Sequence, residues 1–248
     1  MTKNEVELLE DWLTYHGHLF RLENIHVLDG SDDPRVLEIY DRFRPLGLNV
    51  HFSASGLDHL ADELTELMHA YKGQNSFLIK LDTDEFLAYA PKFGLRSRRW
   101  HELQRSHVLQ YGVFEPLRRV FHRLTRILHR NKQIRCDDFG QFFAELPVTG
   151  QRYKASLTTW SIPTHEAVPR ICRDLTRFTP LQFTHLKTFF HSESFMSVDL
   201  GSHIGVSTNN DTVIDTGLTL IHYHSTSVAE SARRARQVLI SHGYIGPD

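Results

Sequence analysis

Apolar positions recur at helical spacing near the start of the chain. Val6, Leu8, Leu9, Trp12, Leu13, His16, Leu19 and Phe20 predict an amphipathic helix over 5–20. Residues 25–28 (Ile-His-Val-Leu) predict a short buried strand that stops at Asp29-Gly30-Ser31-Asp32-Asp33. Asp33 caps a helix whose first position is Pro34, and Gly47 ends it. A strand follows over 48–52. A third helix carries Leu57, Leu60, Leu64, Leu67, Met68 and Tyr71, and Gly73 stops it. The apolar run 77–81 then leads straight into Asp82-Thr83-Asp84-Glu85-Phe86.

Strand, helix, strand, helix, strand at this spacing implies right-handed crossovers and a mostly parallel α/β sheet. Ligands of such sheets sit at the carboxyl ends of the strands, where Asp29, Asp82 and Asp84 all fall. Beyond Gly150 the pattern changes to strands over 154–160, 186–190, 196–200 and 213–224, and a helix opens at Ser227 with a capping box. No repeat or linker-like tract divides the chain, so 1–248 reads as one domain. Its 1–90 half is the expected ligand-binding side.

Composition narrows the class. The 248 residues are 40% hydrophobic and 23% charged, which excludes disordered and collagen-like chains. Two cysteines, Cys136 and Cys172, exclude a disulfide framework and fit a reducing compartment. With no signal-like start and no apolar run of membrane length, the expectation is a soluble, cytoplasmic protein.

The net charge of −2 conceals a strong asymmetry. Between Lys92 and Arg135 twelve basic residues face two acidic ones, so this segment carries +10 and the remainder −12. A basic helix over 117–135 is most simply a solvated face. Its sharper uses are contact with an anionic membrane surface or steering of an anionic ligand. Nucleic-acid binding is not expected, because no reader motif or aromatic interleaving accompanies the arginines.

Two patterns carry chemistry. Asp82 and Asp84, one residue apart at a strand end, can share a hard divalent cation such as Mn²⁺ or Mg²⁺, which in turn holds phosphate oxygens. In the strand Leu220-Ile221-His222-Tyr223-His224, alternation sends His222 and His224 to one face, as metal ligands or phosphate donors. Elsewhere plain packing suffices. His16 reads as a hydrogen-bonded core histidine, Trp12 and Trp100 as core, and Trp160 as a packed aromatic with a sugar-stacking alternative.

The series Lys3-Asn4-Glu5, Asp11-Trp12-Leu13 with Tyr15-His16, 27–33 (Val-Leu-Asp-Gly-Ser-Asp-Asp), 82–87 (Asp-Thr-Asp-Glu-Phe-Leu) and His222-Tyr223 resembles one family. It is the set of small GT-A fold glycosyltransferases related to glycosyltransferase families 92 and 2, several of them encoded by large algal viruses. The resemblance is dense over 1–90, diffuse to about 180, and returns from Lys187 to the end.

The resemblance implies a GT-A-like central sheet flanked by helices, Mn²⁺ or Mg²⁺, a nucleoside-diphosphate sugar as donor, and a glycan or glycoprotein hydroxyl as acceptor. It places Asn4, Glu5 and Asp29 on the donor, with Asp29 at its nucleoside. Asp82 falls nearer the ribose and Asp84 on the metal. His222, with His224 beside it, completes the metal and diphosphate site, and Lys187 and His203 lie where acceptor and donor sugar meet.

Asp199, which precedes His203, is the chosen general base for an inverting reaction, with Glu193, Asp211 and Asp215 as rivals. Two departures stand out. The family's apolar strand before Lys-Asn-Glu is expected to be missing, and Asp11 and Gly30 replace the usual Glu and Asn. Two other functions fit the same residues. One is a metal-dependent phosphodiesterase or nuclease, and the other is a degenerate transferase that binds carbohydrate without turning it over.

Overall fold

The computed structural model describes residues 3–54, 57–89, 137–159, 182–211, 213–223 and parts of 232–246. The basic segment 92–135, Trp100, Trp160, both cysteines, His224 and the start of the last helix at Ser227 lie outside the described residues.

Helix α1 (Leu9–Phe20) buries Leu9, Trp12, Leu13 and His16, the i, i+3, i+4, i+7 stripe read from the sequence. The Glu5 carboxylate accepts the Glu7 and Leu8 backbone N–H groups at 3.1 and 3.2 Å just ahead of it, placing negative charge at the helix start. Strand β1 (His26–Asp29) follows. Then comes α2 (Pro34–Phe43), whose N-cap Asp33 accepts from Arg35 N–H at 2.9 Å. A short 3₁₀ turn, Arg44–Leu46, ends at Gly47 with φ 108°, a left-handed conformation that favours glycine. Strand β2 (Asn49–Phe52) pairs parallel with β1, and α3 (Leu57–His69) leads on to β3 (Phe77–Ile79).

The protein is mixed α/β, as expected, but among the described residues it is not built on a mostly parallel sheet. Its largest sheet has five strands in the order β3-β6-β5-β9-β4, where β4 is Glu85–Tyr89, β5 Arg152–Thr159, β6 Gln182–His191 and β9 Val213–His222. Three of its four pairings are antiparallel, and only β5 with β9 is parallel. The parallel expectation holds for β1 and β2, where a helix joins neighbouring strands. It fails beyond them because partners from the second half of the chain set the direction of pairing.

Strand β4 is an addition that the sequence reading did not contain. Its Glu85 stands opposite His222 of β9, and Tyr89 opposite Leu218. A small antiparallel pair, β7 (Phe195–Ser197) with β8 (Val206–Ser207), and helix α4 (Asp137–Glu145) complete the described elements.

The main core joins α1, α2 and α4 to the large sheet through Leu9, Leu13, Val36, Tyr40, Phe86, Leu87, Phe139, Tyr153 and Phe189. A second cluster, Leu28, Leu64, Met68, Phe190, Phe195 and Val198, packs α3 against β6 and β7. Helix α1 is also stitched to β4 by polar bonds. Trp12 Nε1 donates to the Glu85 carbonyl at 2.9 Å, Tyr15 OH donates to the Leu87 carbonyl at 2.7 Å, and Leu87 N–H donates to His16 Nε2 at 3.3 Å. These bonds lock the start of β4, and with it the acidic turn. Among the described residues no helix is long and apolar enough to cross a membrane.

Candidate functional site

The turn between β3 and β4 carries Lys80, Asp82, Asp84 and Glu85. Glu85 N–H donates to the Asp82 carbonyl at 3.0 Å, and Asp82 N–H returns a bond to Glu85 Oε2 at 2.8 Å, which closes a tight loop. Tyr223 N–H donates to the Asp84 carbonyl at 2.7 Å and ties that loop to the end of β9.

The side chains form two groups. In the first, Lys80 Nζ donates to Asp82 Oδ1 at 2.6 Å and Lys187 Nζ to Asp82 Oδ2 at 3.0 Å. Lys187 Nζ also lies 2.7 Å from Glu85 Oε2 and 2.9 Å from Oε1. The Lys80, Lys187 and Glu85 side chains are almost wholly buried, whereas the Asp82 side chain keeps 35% of its exposure. Burial opposes ionisation of Asp82, yet the two ammonium groups outweigh it and hold the carboxyl far below the ordinary range. Burial likewise lowers Lys80. For Lys187 the Asp82 and Glu85 carboxylates overcome burial and raise it.

The second group is Asp84 and His222, with Asp84 Oδ2 3.4 Å from His222 Nε2. Burial would lower His222, but the hydrogen bond and charge of Asp84 prevail and raise it. Two donors bound to one hard divalent ion at about 2.1 Å each lie about 3 Å apart, so this pair fits two positions on such an ion. The donor set is right for Mn²⁺, an oxygen anion beside an imidazole. The remaining positions suit water or phosphate oxygens. Among the described residues no three His, Cys, Asp or Glu side chains converge to make a cage by themselves.

The structure thus brings Asp82, Asp84, Lys187 and His222 together and divides them by partner. Two residues that are not among the candidates from sequence belong with them, Lys80 and Glu85. The signal for Lys80 was a lone charge inside the apolar run 77–81, and for Glu85 a third acid directly before Phe86.

The expected donor-side residues take structural partners. Asp29 is fully buried at the end of β1. It accepts from Ser31 Oγ at 2.6 Å, Ser31 N–H at 3.1 Å and Tyr40 OH at 3.0 Å. Asn4, at φ 54°, accepts the Asp32 and Asp33 N–H groups on its side-chain oxygen, and its amide donates to Asp32. Asn4 and Asp29 therefore shape the 29–33 loop together, and Glu5 starts α1.

On the acceptor side, Asp199 is engaged with its own loop. It accepts backbone N–H bonds from His203 at 3.1 Å and from Ile204 and Gly205 at 2.9 Å each. Burial works against its ionisation, but those N–H groups prevail and lower it below the usual carboxylate range. His203 is exposed on that turn. Of the rival bases, Asp215 lies 3.5 Å from Lys154 Nζ, and Glu193 and Asp211 are exposed.

Neither a comparison with protein-family models nor one with curated proteins gives a match.

Proposed function

We propose that this chain is a metal-dependent glycosyltransferase that moves a sugar from a nucleoside diphosphate to a hydroxyl of a glycan or glycoprotein. The observation that carries the reading is the Asp84–His222 pair, 3.4 Å apart, at the junction of β4 and β9. It joins two of the motifs in the series on which the resemblance to GT-A transferases rests. A GT-A fold is part of the proposal, as is a cytoplasmic setting suggested by the sparse cysteines.

Asp84 and His222 would hold Mn²⁺ or Mg²⁺, which supplies positive charge to the departing diphosphate. The chain's own residues prepare that place. Trp12, Tyr15 and His16 fix the first residues of β4, and Glu85 and Lys187 brace the turn from below. Asp82, neutralised by two lysines, serves to orient the turn and leaves the cation to Asp84. On the resemblance, the loop held by Asn4 and Asp29 would form the donor-side wall. The turn held by Asp199 presents His203 on the acceptor side.

The withdrawal of Asp82 onto Lys80 and Lys187 favours one second reading, a carbohydrate-binding relative of the transferases that has lost turnover. The phosphodiesterase alternative fares less well. Among the described residues both buried lysines are committed to carboxylates, and one acid–histidine pair is a small basis for phosphodiester hydrolysis; the arginine-rich segment that this reading also uses lies outside them.

A thermal-shift screen of nucleoside-diphosphate sugars with and without Mn²⁺ tests the proposal. At ligand near a hundredfold Kd the expected stabilisation is about 2.7 kcal/mol. A Mn²⁺-dependent shift with one donor that disappears in Asp84→Ala supports the site. Transfer or slow hydrolysis of that donor then separates the enzyme from the binding module. No shift with any donor overturns the donor-site reading.

A further inference from the structure

Three donor atoms meet in a cluster that shares no residue with the acidic turn. His26 opens β1, and the parallel register pairs it with Asn49 and pairs His51 with Leu28. The even offset puts His26 and His51 on one face of the strand pair. Tyr71 reaches them from the turn after α3, where its N–H donates to the Met68 carbonyl at 3.2 Å. His26 Nδ1 lies 3.1 Å from His51 Nε2 and 3.0 Å from Tyr71 OH. The two imidazoles meet edge to edge, 28° from coplanar with centroids 5.4 Å apart, and all three side chains are partly buried.

Hydrogen bonding alone serves this arrangement poorly. His26 Nδ1 has either one proton or one in-plane lone pair, so a single ring nitrogen faces two partners and can satisfy only one of them linearly. Burial first, and then the proximity of His51, hold His26 below its ordinary value. Neutral imidazole nitrogen is the form that binds transition metals.

We propose that His26, His51 and Tyr71 form a binding site for a borderline divalent transition-metal ion of the zinc class. A tetrahedral Zn²⁺ with bonds of about 2.0–2.1 Å separates its ligands by about 3.3 Å, so the two ring nitrogens need to part by a few tenths of an ångström and the rings to turn until their lone pairs converge on the ion. Two imidazoles with a phenol oxygen select such an ion over Mg²⁺. A fourth position remains for water. A bound ion would clamp β1, β2 and the chain beyond α3 together, so its effect is on stability. The proposal does not depend on the transferase reading.

Competition with a chromophoric zinc chelator, on the full chain and with thermal unfolding alongside, tests it. The wild type should take up one tight equivalent of Zn²⁺ and unfold at a higher temperature with the metal. His26→Gln and His51→Gln should each weaken uptake by at least about tenfold and abolish the thermal shift. Tyr71→Phe should weaken uptake less, and Asp84→Ala should leave the tight equivalent in place. His51, partly exposed, keeps the test decisive if His26→Gln unfolds the chain. The proposal is overturned by absence of a tight equivalent in the wild type. It is equally overturned by uptake that survives both histidine substitutions, or by loss confined to Asp84→Ala.

Discussion

Lys187 on β6 reaches the Glu85 carboxylate of β4 at 2.7 Å, although β6 and β4 are not neighbours in the sheet. Both side chains are almost wholly buried, so the contact is a desolvated ion pair. Removing one partner of such a pair leaves an uncompensated charge and costs roughly 3–5 kcal/mol. Urea unfolding of Lys187→Met should show a loss of that order. The double variant Lys187→Met with Glu85→Gln should regain part of it, and a loss below about 1 kcal/mol in the single variant would contradict the pair.

Asp82 and Asp84 look equivalent in sequence and should respond differently to mutation. Asp84→Asn should abolish Mn²⁺-dependent stabilisation by a donor and cost less metal-free stability than the loss of Asp82 does. Asp82→Asn should lower stability in the absence of metal, because two buried ammonium groups lose their shared counter-charge. Calorimetry of the two variants, with and without Mn²⁺, distinguishes them. A reversed pattern would move the cation to Asp82.

His16 makes acid stability readable. Its Nε2 accepts from Leu87 N–H, and burial lowers its pKa from 6.5 to about 3. A base depressed by folding contributes stability above its unfolded value and loses it as pH falls toward the folded one. The unfolded chain therefore holds one more proton than the native chain between about pH 6.5 and 3, and stability should fall by up to roughly 1.4 kcal/mol per pH unit across that window. Other carboxylates and histidines titrate there as well, so the informative quantity is the difference between wild type and His16→Gln. That difference should shrink on acidification. A constant difference from pH 7 to 5 would show that His16 takes up its proton in the folded state.

Asp199 combines a sequence-based candidacy as general base with a geometry that organises a loop. Its three backbone N–H bonds predict that Asp199→Ala lowers stability by about 1–3 kcal/mol. Unfolding midpoints give the answer. An alanine variant of unchanged stability would free Asp199 for a role at the acceptor.

Much of the first third was legible because its signals are local. The α1 stripe, the Asp33 cap with Pro34 and the Gly47 stop each depend on residues within one or two helical turns, and the structure places them as read. The large sheet was not legible in the same way. Glu85–Tyr89 is a strand because β9, about 130 residues later, supplies its partner, and no local pattern encodes the antiparallel direction. The gathering of Asp82, Asp84, Lys187 and His222 could be anticipated from motif order. Their division into an ion-paired cluster and an acid–histidine pair could not, since it turns on Lys80, whose charge had been absorbed into an apolar run.

The sheet order also says how the chain must assemble. β3 and β4 are close in sequence yet, among the described residues, occupy opposite edges of one sheet, and the three strands between them all come from beyond residue 150. A ribosome that has released only the first 90 residues has therefore made both outer rails of the sheet and none of its interior. Until β5, β6 and β9 arrive, those rails present open backbone to any passing strand. A cut near residue 90 should thus yield two halves that are each prone to association alone and that recover the native sheet only when mixed.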